Sequence, residues 1–226
     1  MAQERAQPPK LDHFKVYWVK LHEIGPVLLK GQFDREPRKV IVGPLTHFAN
    51  PVSKNGARIF DKNAHLAWYE IRQEQEPERV VLVRNQFGEQ RLTLGQPRFL
   101  LAPAKKGKEG SEFPKRLDHY KCYEVIKGEP VQKAVSLEDQ FGPDKRVTVG
   151  QPRLLGVPVE KTYQGKTFEI QNKEAHLVVY EISRKQDAHK IEVADQFGER
   201  TLEVFFSEFL CVPSTKKPVQ VGPKAD

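Results

Sequence analysis

The residues that could do chemistry are four histidines that recur at equivalent places along the chain. Each one precedes a tyrosine by four positions, in the words LDHFKVY, NAHLAWY, LDHYKCY and EAHLVVY. Imidazole is a common ligand of transition metals, and Asp12 and Asp118 directly precede two of the histidines. One hypothesis is therefore a transition-metal site, or an enzyme centred on it, formed by His13, His65, His119 and His176. The interpretation that we favour is that each histidine is a packing or hydrogen-bonding device needed by every repeat.

Carboxyl groups beside predicted turns are a second set to consider. Glu138 with Asp139, and Glu192 with Asp195, could be imagined as the paired carboxylates of a glycoside hydrolase. Asn85 stands at the equivalent place in another repeat, which favours ordinary surface charge. No serine lies in a nucleophile-elbow motif, and the sequence has no phosphate-binding glycine loop and no CxxC pair. We therefore predict no catalytic residues and no cofactor.

Three landmarks recur four times and define a repeat of about 54 residues. After the His–Tyr word comes a Gln-Phe pair, and each unit closes on a proline followed three positions later by a lysine. The pairs begin at Gln32, Gln86, Gln140 and Gln196, and the lysines are Lys54, Lys106, Lys161 and Lys216. We interpret the Gln-Phe pairs as hairpin anchors rather than as a sugar site. The first and third units open with Leu-Asp-His and the others with Ala-His, so the order is ABAB.

Within a unit the apolar residues recur with a period close to two, which is typical of β-strands. In the fourth unit Ile191 and Val193 alternate with charged residues, and Leu202 and Val204 do so after the turn. Gly198 lies between these runs, where a tight hairpin needs a positive φ angle. No segment has a helical stripe of useful length. The pattern predicts an all-β protein with four strands in each unit.

A glycine- and charge-rich stretch over 107–113 separates the second unit from the third. We predict two β domains, 11–106 and 117–217, joined by a linker over 107–116 and flanked by flexible tails over 1–10 and 218–226. Each domain would be a barrel or sandwich with internal pseudo-two-fold symmetry. The alternative is a four-bladed β-propeller, because four strands in each repeat is also the propeller arrangement.

The two cysteines suggest how units close on each other. Cys122 lies in the first strand of the third unit and Cys211 in the last strand of the fourth. We predict that they form a disulfide, or at least lie adjacent, which would close these two units together. The other units have their own pairs of residues at the positions that correspond to the two cysteines. In two of these three pairs a large residue would meet a small one. Those pairs are Val16 with Leu101, Trp68 with Ala49, and Val179 with Gly156. The alternative is two buried free thiols.

The words LDHYKCY, DQFG and LCVPSTK resemble a tandem-repeat domain of unknown function found in secreted or surface proteins of bacteria and archaea. The resemblance covers about residues 11–217, and it is looser in the first unit, where Asp34 replaces the glycine of the other units. It implies an extracytoplasmic location and a tandem architecture, and it implies no activity. The N-terminal residues MAQERAQPPK have no apolar core of a signal peptide, so a cytoplasmic location stays open.

The net charge of +7 raises the question of nucleic-acid binding. Basic and acidic residues alternate along most of the chain, which indicates a solvated mixed surface, so the charge does not lead us to predict a nucleic-acid partner. The longest apolar-rich run, Val204 to Val212, is too short to span a membrane as a helix, so we expect no membrane span.

The leading hypothesis for function is a non-catalytic extracytoplasmic module that binds a protein or glycan partner or assembles with itself. The candidate contact residues are aromatics in polar loops that vary between the repeats, Phe60, Phe113, Tyr163 and Phe168. An equally good interpretation is that each aromatic side chain folds back onto the core. The alternatives are the histidine-based metal protein or enzyme and a structural subunit of a surface layer or filament, which exposed strand edges would support.

Overall fold

The structure, a computed structural model, describes residues 10–19, 25–107 and 112–218. These residues form twelve β-strands and no helix, so the all-β prediction is confirmed. The strands are β1 (His13–Val19), β2 (Pro26–Gly31), β3 (Arg38–Lys54), β4 (His65–Arg72), β5 (Arg79–Asn85), β6 (Gly88–Lys106), β7 (His119–Lys127), β8 (Lys133–Asp139), β9 (Gly142–Tyr163), β10 (Lys166–Phe168), β11 (His176–Asp195) and β12 (Gly198–Pro218). Across the described ranges, no helix is long and apolar enough to cross a membrane.

Eight of the strands pair side by side in a closed antiparallel circuit. Its order is β1–β3–β4–β6–β7–β9–β11–β12, and β12 pairs with β1 again. Each strand that begins with a repeated histidine lies between the last strand of its own unit and the last strand of the unit before it. Phe14, for example, is opposite Pro51 on one side and Cys211 on the other. The circuit therefore runs through all four units.

Each unit also carries a hairpin, in which the first part of its long last strand pairs with a preceding strand segment. Gly88, Gly142 and Gly198 take positive φ angles at three of the hairpin turns, as a tight turn requires. The hairpin of each unit pairs with the end of the last strand from the unit opposite in the circuit. Leu29 of the first unit is thus opposite Lys161 of the third. The hairpins therefore pair units that lie opposite each other in the circuit, whereas the circuit itself pairs neighbouring units.

The pairing of the long last strands is irregular at two prolines. The pairing register shifts at Pro97 in β6 and opposite Pro152 in β9. Proline has no N–H to donate and is accommodated at such irregularities, so the chain passes from hairpin to circuit as one strand. The first and second units consequently have three strands each and the fourth has two, fewer than the four predicted, whereas the third reaches four with the short β10.

Side chains alternate between the inside and the outside of the circuit. Val16 belongs to a central cluster, and its neighbour Tyr17 belongs to a second cluster on the other face. The central cluster includes Trp68, Cys122 and Cys211, which are fully buried. Two further clusters lie between the circuit and the hairpins. Apolar burial on both faces of the circuit explains why its strands contain near-continuous apolar runs.

The closure predicted from the cysteines is not the one observed. Among the described strands β12 pairs with β11, β1 and β5, and β7 pairs with β6 and β9, so the third and fourth units do not meet through β7 and β12. A first strand paired only within its unit would leave one edge unpaired, and the neighbouring unit satisfies that edge. Two of these pairings, β6 with β7 and β12 with β1, join the two predicted domains. Residues 108–111 of the predicted linker, and 1–9 and 219–226 of the predicted tails, lie outside the described residues.

Candidate functional site

The repeated histidines contact glutamines of the following unit. The Nε2–Nε2 distances are 2.5 Å for His13 with Gln86, 2.7 Å for His119 with Gln196, and 2.5 Å for His176 with Gln32. An amide that donates to this ring nitrogen requires a neutral imidazole. His65 departs from the pattern, since its Nδ1 is buried without a hydrogen-bond partner and Gln140 donates to Asn50 instead.

Burial lowers the pKa of all four histidines. The values are about 4 for His13 and His176 and about 3 for His65 and His119. Repulsion from the lysine that closes the same unit lowers each pKa further, as Lys161 does for His119. The imidazoles are therefore neutral at pH 7, which matches their contacts with the glutamine amides.

Each closing lysine lies over the phenylalanine of the next unit's Gln-Phe pair. The distances from Nζ to the ring centroid are 5.5 Å for Lys54 with Phe87, 4.2 Å for Lys106 with Phe141, 4.3 Å for Lys161 with Phe197, and 4.3 Å for Lys216 with Phe33. These distances fit cation–π contacts. Burial lowers the pKa of Lys106 and of Lys216 to about 8.

Lys161 is enclosed by aromatic rings. Its Nζ is buried without a hydrogen-bond partner and lies 5.1 Å from the ring centroid of Phe168 and 5.4 Å from that of Tyr163. Burial lowers the pKa of Lys161 to about 7, although the charge of Asp195 acts in the opposite direction. Burial therefore makes protonation of this enclosed amine costly.

The tyrosine of each His–Tyr word packs edge-on against the phenylalanine of the opposite unit. The ring-centroid distances are 5.2 Å for Tyr17 with Phe141, 4.9 Å for Tyr69 with Phe197, 5.3 Å for Tyr123 with Phe33, and 5.4 Å for Tyr180 with Phe87. The Tyr17 hydroxyl donates to Asp139, 2.6 Å away, and the Tyr69 hydroxyl donates to Asp195. These contacts fit the interpretation of the Gln-Phe pairs as hairpin anchors.

The proposed histidine set does not come together around one point. Three of the histidines contact glutamines of three different hairpins, and across the described residues no group of three or more His, Cys, Asp or Glu could hold a metal ion. Asp12 and Asp118, which precede two of these histidines, instead accept hydrogen bonds from the backbone of two loops. Asp12 accepts the backbone N–H groups of Phe60 and Asp61, at 2.7 and 3.0 Å. Asp118 accepts those of Gln171 and Asn172, at 2.7 and 2.9 Å.

The four aromatic residues predicted to form a contact surface divide into two pairs. Phe60 and Phe113 are exposed, with 62% and 47% of their surface accessible. Tyr163 and Phe168 turn inward, where Tyr163 packs on Phe197 and Phe168 packs on the ring of His119. The second pair encloses Lys161, as described above.

The two cysteines are free thiols in the same buried cluster. Burial raises the pKa of both, and for Cys211 the nearby Cys122 adds to the effect. Each lies opposite residues of its adjoining strands, Cys122 opposite Gly156 and Cys211 opposite Val179. The structure thus brings the thiols into one cluster without a bridge.

The other end of the circuit carries a basin that the sequence did not predict. Its volume is about 660 Å³, which is within the range typical of ligand sites. Apolar side chains of three units form its floor, Phe99, Leu154 and Phe209. Phe209 is stacked on the buried Trp68 ring, with 6.2 Å between centroids and 3° between planes. The indole Nε1 of Trp68 has no hydrogen-bond partner.

The rim of the basin is made of arginine and glutamate side chains. The pair Arg153–Glu181 has an N–O distance of 2.5 Å, and the pair Arg184–Glu208 has the same. Contact with His47 and with Arg184 lowers the pKa of Glu208. Partial burial would raise the pKa of Glu181, but hydrogen bonds from Gln151 and Arg153 outweigh burial, and the net shift is downward. The rim therefore presents fixed charges of both signs around an apolar floor.

One signal in the sequence could have identified the basin. The words PRF, PRL and SEF occupy equivalent places in the second, third and fourth units, and each joins a charged residue to an apolar one. In an ordinary strand the charged residue and the apolar residue next to it would point to opposite faces of the sheet. Only the closed circuit brings the three words to one end of the molecule.

The fold and these sites define the class of an all-β repeat protein whose repeated residues join its own units. A family model described as a repeat of unknown function, DUF7450, matches residues 65–213, and the chain belongs to that family. No curated protein matches the chain. No solved structure matches it either.

Proposed function

We propose that the protein is a non-catalytic binding module whose basin at the end of the circuit takes a neutral glycan. The observation that carries the proposal is the pairing of Arg153 with Glu181 and of Arg184 with Glu208 around a floor of Phe99 and Phe209. Apolar floors with a few oriented polar groups are the usual composition of small-ligand sites.

The paired charges favour a ligand rich in hydroxyl groups. A charged partner would have to separate an arginine from its glutamate before binding it, which costs the energy of the existing pair. A hydroxyl group both donates and accepts, so it can bond to Arg153 and to Glu181 while they stay paired. The C–H face of a sugar ring would pack against Phe99 or Phe209.

The acid–base state of the rim supports binding without hydrolysis. A glycoside hydrolase needs one carboxyl group whose pKa is raised so that it can protonate the leaving oxygen. The pKa values of Glu181 and Glu208 are both lowered, so these groups are ionised at neutral pH and cannot serve as that acid. An extracytoplasmic location, which the family resemblance implies, would fit a glycan-binding role.

The test is binding of the purified protein to an array of neutral and acidic oligosaccharides, followed by titration calorimetry with any ligand found. We expect a neutral oligosaccharide to bind, and Arg153→Ala to weaken it at least tenfold, about 1.4 kcal/mol. The control is Arg91→Ala, an exposed arginine on the β5–β6 hairpin outside the basin lining.

Two outcomes would count against the proposal. Binding restricted to acidic glycans would mean that the ion pairs open, and binding that survives Arg153→Ala would place the site elsewhere. Light scattering of the same sample checks the self-assembly hypothesis, because a large regular assembly would favour a structural subunit instead.

A further inference from the structure

Three charged side chains from three units meet in a buried cluster under the first hairpin. Lys121 Nζ lies 3.1 and 2.8 Å from the two carboxylate oxygens of Asp34 and 3.2 Å from Glu76 Oε1. All three side chains have 0% of their surface accessible. The rings of Tyr123 and Phe33 pack edge-on beside them, with 5.3 Å between centroids.

This cluster depends on Asp34, which breaks the repeat, and on Lys121, whose position holds a lysine only in the first and third units. Asp34 stands where the other units have a turn glycine, and its Oδ2 accepts the backbone N–H of Gly31 at 2.8 Å. Lys121 follows His119 by two positions, where the second unit has Ala67. The repeat architecture therefore does not require this set, and the set needs an explanation of its own.

We propose that Lys121 and Asp34 condense to form an intramolecular isopeptide bond, with Glu76 as the proton carrier. The link would join the first unit to the third, across the circuit. It is independent of the proposed glycan site, whose lining includes none of Lys121, Asp34 and Glu76.

The reaction balances without any co-reactant. Glu76 takes a proton from the Lys121 ammonium, and the freed Nζ attacks Cγ of Asp34. A new Nζ–Cγ bond forms, the bond from Cγ to one carboxylate oxygen breaks, and that oxygen leaves as water with two protons from the ammonium. One of these protons passes through Glu76, which ends as it began. The product is a neutral amide and one water molecule.

Burial is what drives this condensation. In water an amide is less stable than its separated ions, because the ammonium and carboxylate are well hydrated. Lys121 and Asp34 have lost that hydration, and a buried ion pair recovers only part of it. Conversion of the pair into a neutral amide removes both charges and releases water to the solvent.

The geometry of the cluster is expected to accelerate the condensation. The folded chain holds the amine against the carboxyl group for its whole lifetime, which corresponds to a very high effective concentration. The Gly31 N–H points at Oδ2 and stabilises the negative charge that grows there during the attack. Arg38 Nε lies 3.1 Å from Oδ1 and polarises the same group.

A related lysine provides a matched control. Lys15 holds the equivalent position in the first unit and contacts Asp144 across the circuit, but Lys185 contacts the same carboxylate. Lys15→Arg is therefore the control, because it changes an equivalent buried lysine without altering the Lys121 cluster.

The test is the mass of the intact, denatured full-length protein, followed by tandem mass spectrometry of its tryptic digest. The wild type is expected to be lighter by one water molecule than its sequence requires. The digest should contain one branched peptide that joins residues 31–35 to 117–127, because trypsin does not cleave at an acylated lysine. Lys121→Arg keeps the charge but is expected to show no loss of water, and Glu76→Gln is expected to reduce the linked fraction severalfold.

The Lys15→Arg variant should retain the branched peptide. An unlinked wild type, from which residues 31–35, 117–121 and 122–127 are recovered as separate peptides, would overturn the proposal. So would a loss of water confined to the peptide of Asp34, since that result indicates cyclisation of the aspartate on its own backbone. Both readings come from the wild-type protein and do not depend on whether a variant folds.

Discussion

Gln32, in the turn after β2, and His176, at the start of β11, lie 2.5 Å apart between their Nε2 atoms although 144 residues separate them. This contact joins the fourth unit to the first, and the contacts of His13 and His119 with glutamines join two other neighbouring pairs in the same way. The histidine of one unit and the hairpin of the next therefore form a repeated connection around the circuit.

The neutral histidines predict a loss of stability in acid. Their folded pKa values of about 3 to 4 lie below the value near 6.5 of an unfolded chain. Between these limits the unfolded state binds more protons, so the free energy of unfolding falls as the pH decreases from 6.5 to 4. Each histidine contributes a slope of about 1 kcal/mol per pH unit. Urea unfolding at a series of pH values should give a shallower slope for His176→Gln than for the wild type, and equal slopes would contradict the assignment.

The enclosed amine of Lys161 predicts a gain in stability when its charge is removed. Its folded pKa of about 7 is below the unfolded value, so the unfolded state binds more protons above pH 7 and stability rises from pH 7 towards pH 10. Lys161→Met should raise the free energy of unfolding at pH 7 by about 1–3 kcal/mol and should flatten this rise. Lys166→Met, an exposed lysine on β10, is the control that should change neither. Destabilisation by Lys161→Met would mean that the three aromatic contacts outweigh desolvation.

The carboxylate of Asp118 predicts local protection of one loop. It accepts two backbone N–H groups, those of Gln171 and Asn172, and each such bond contributes about 1 kcal/mol. In Asp118→Ala these two amides should exchange with deuterium about fivefold faster or more. Asp12→Ala should accelerate Phe60 and Asp61 instead. Uniform acceleration over the chain would indicate global destabilisation rather than the release of one loop.

The buried thiols predict low reactivity in the folded protein. Burial raises the pKa of Cys122 and Cys211, and a thiol without thiolate character is a poor nucleophile. A thiol reagent at pH 8 should label neither residue until denaturant is added, and then both. Peptide mapping without reductant after mild oxidation tests the disulfide hypothesis, which requires a linked pair of peptides. Rapid labelling of native protein would contradict the enclosed position of the central cluster.

The recurring words of the sequence predicted the strands and the hairpin turns, because a period of two and a turn glycine act locally. The Gln-Phe pairs were correctly placed at hairpins, since Phe197 and its counterparts pack on tyrosines. The length of the strands was not predicted, because the register shift at Pro97 falls within the pairing of β6 with β7 of a different unit. The basin was missed for a related reason, as Phe99, Leu154 and Phe209 are distant in the sequence.

The sequence by itself determined that this chain is an all-β protein with recurring units, since apolar alternation and turn residues specify strands within a few residues of each other. The tertiary structure decided which unit pairs with which. Every first strand has the same pattern and an unpaired edge, so the sequence does not distinguish closure in twos from closure in a circuit of four. The structure shows closure in a circuit of four, because β12 of the last unit pairs with the edge of β1 in the first. The contact of Gln32 with His176 joins the same two units.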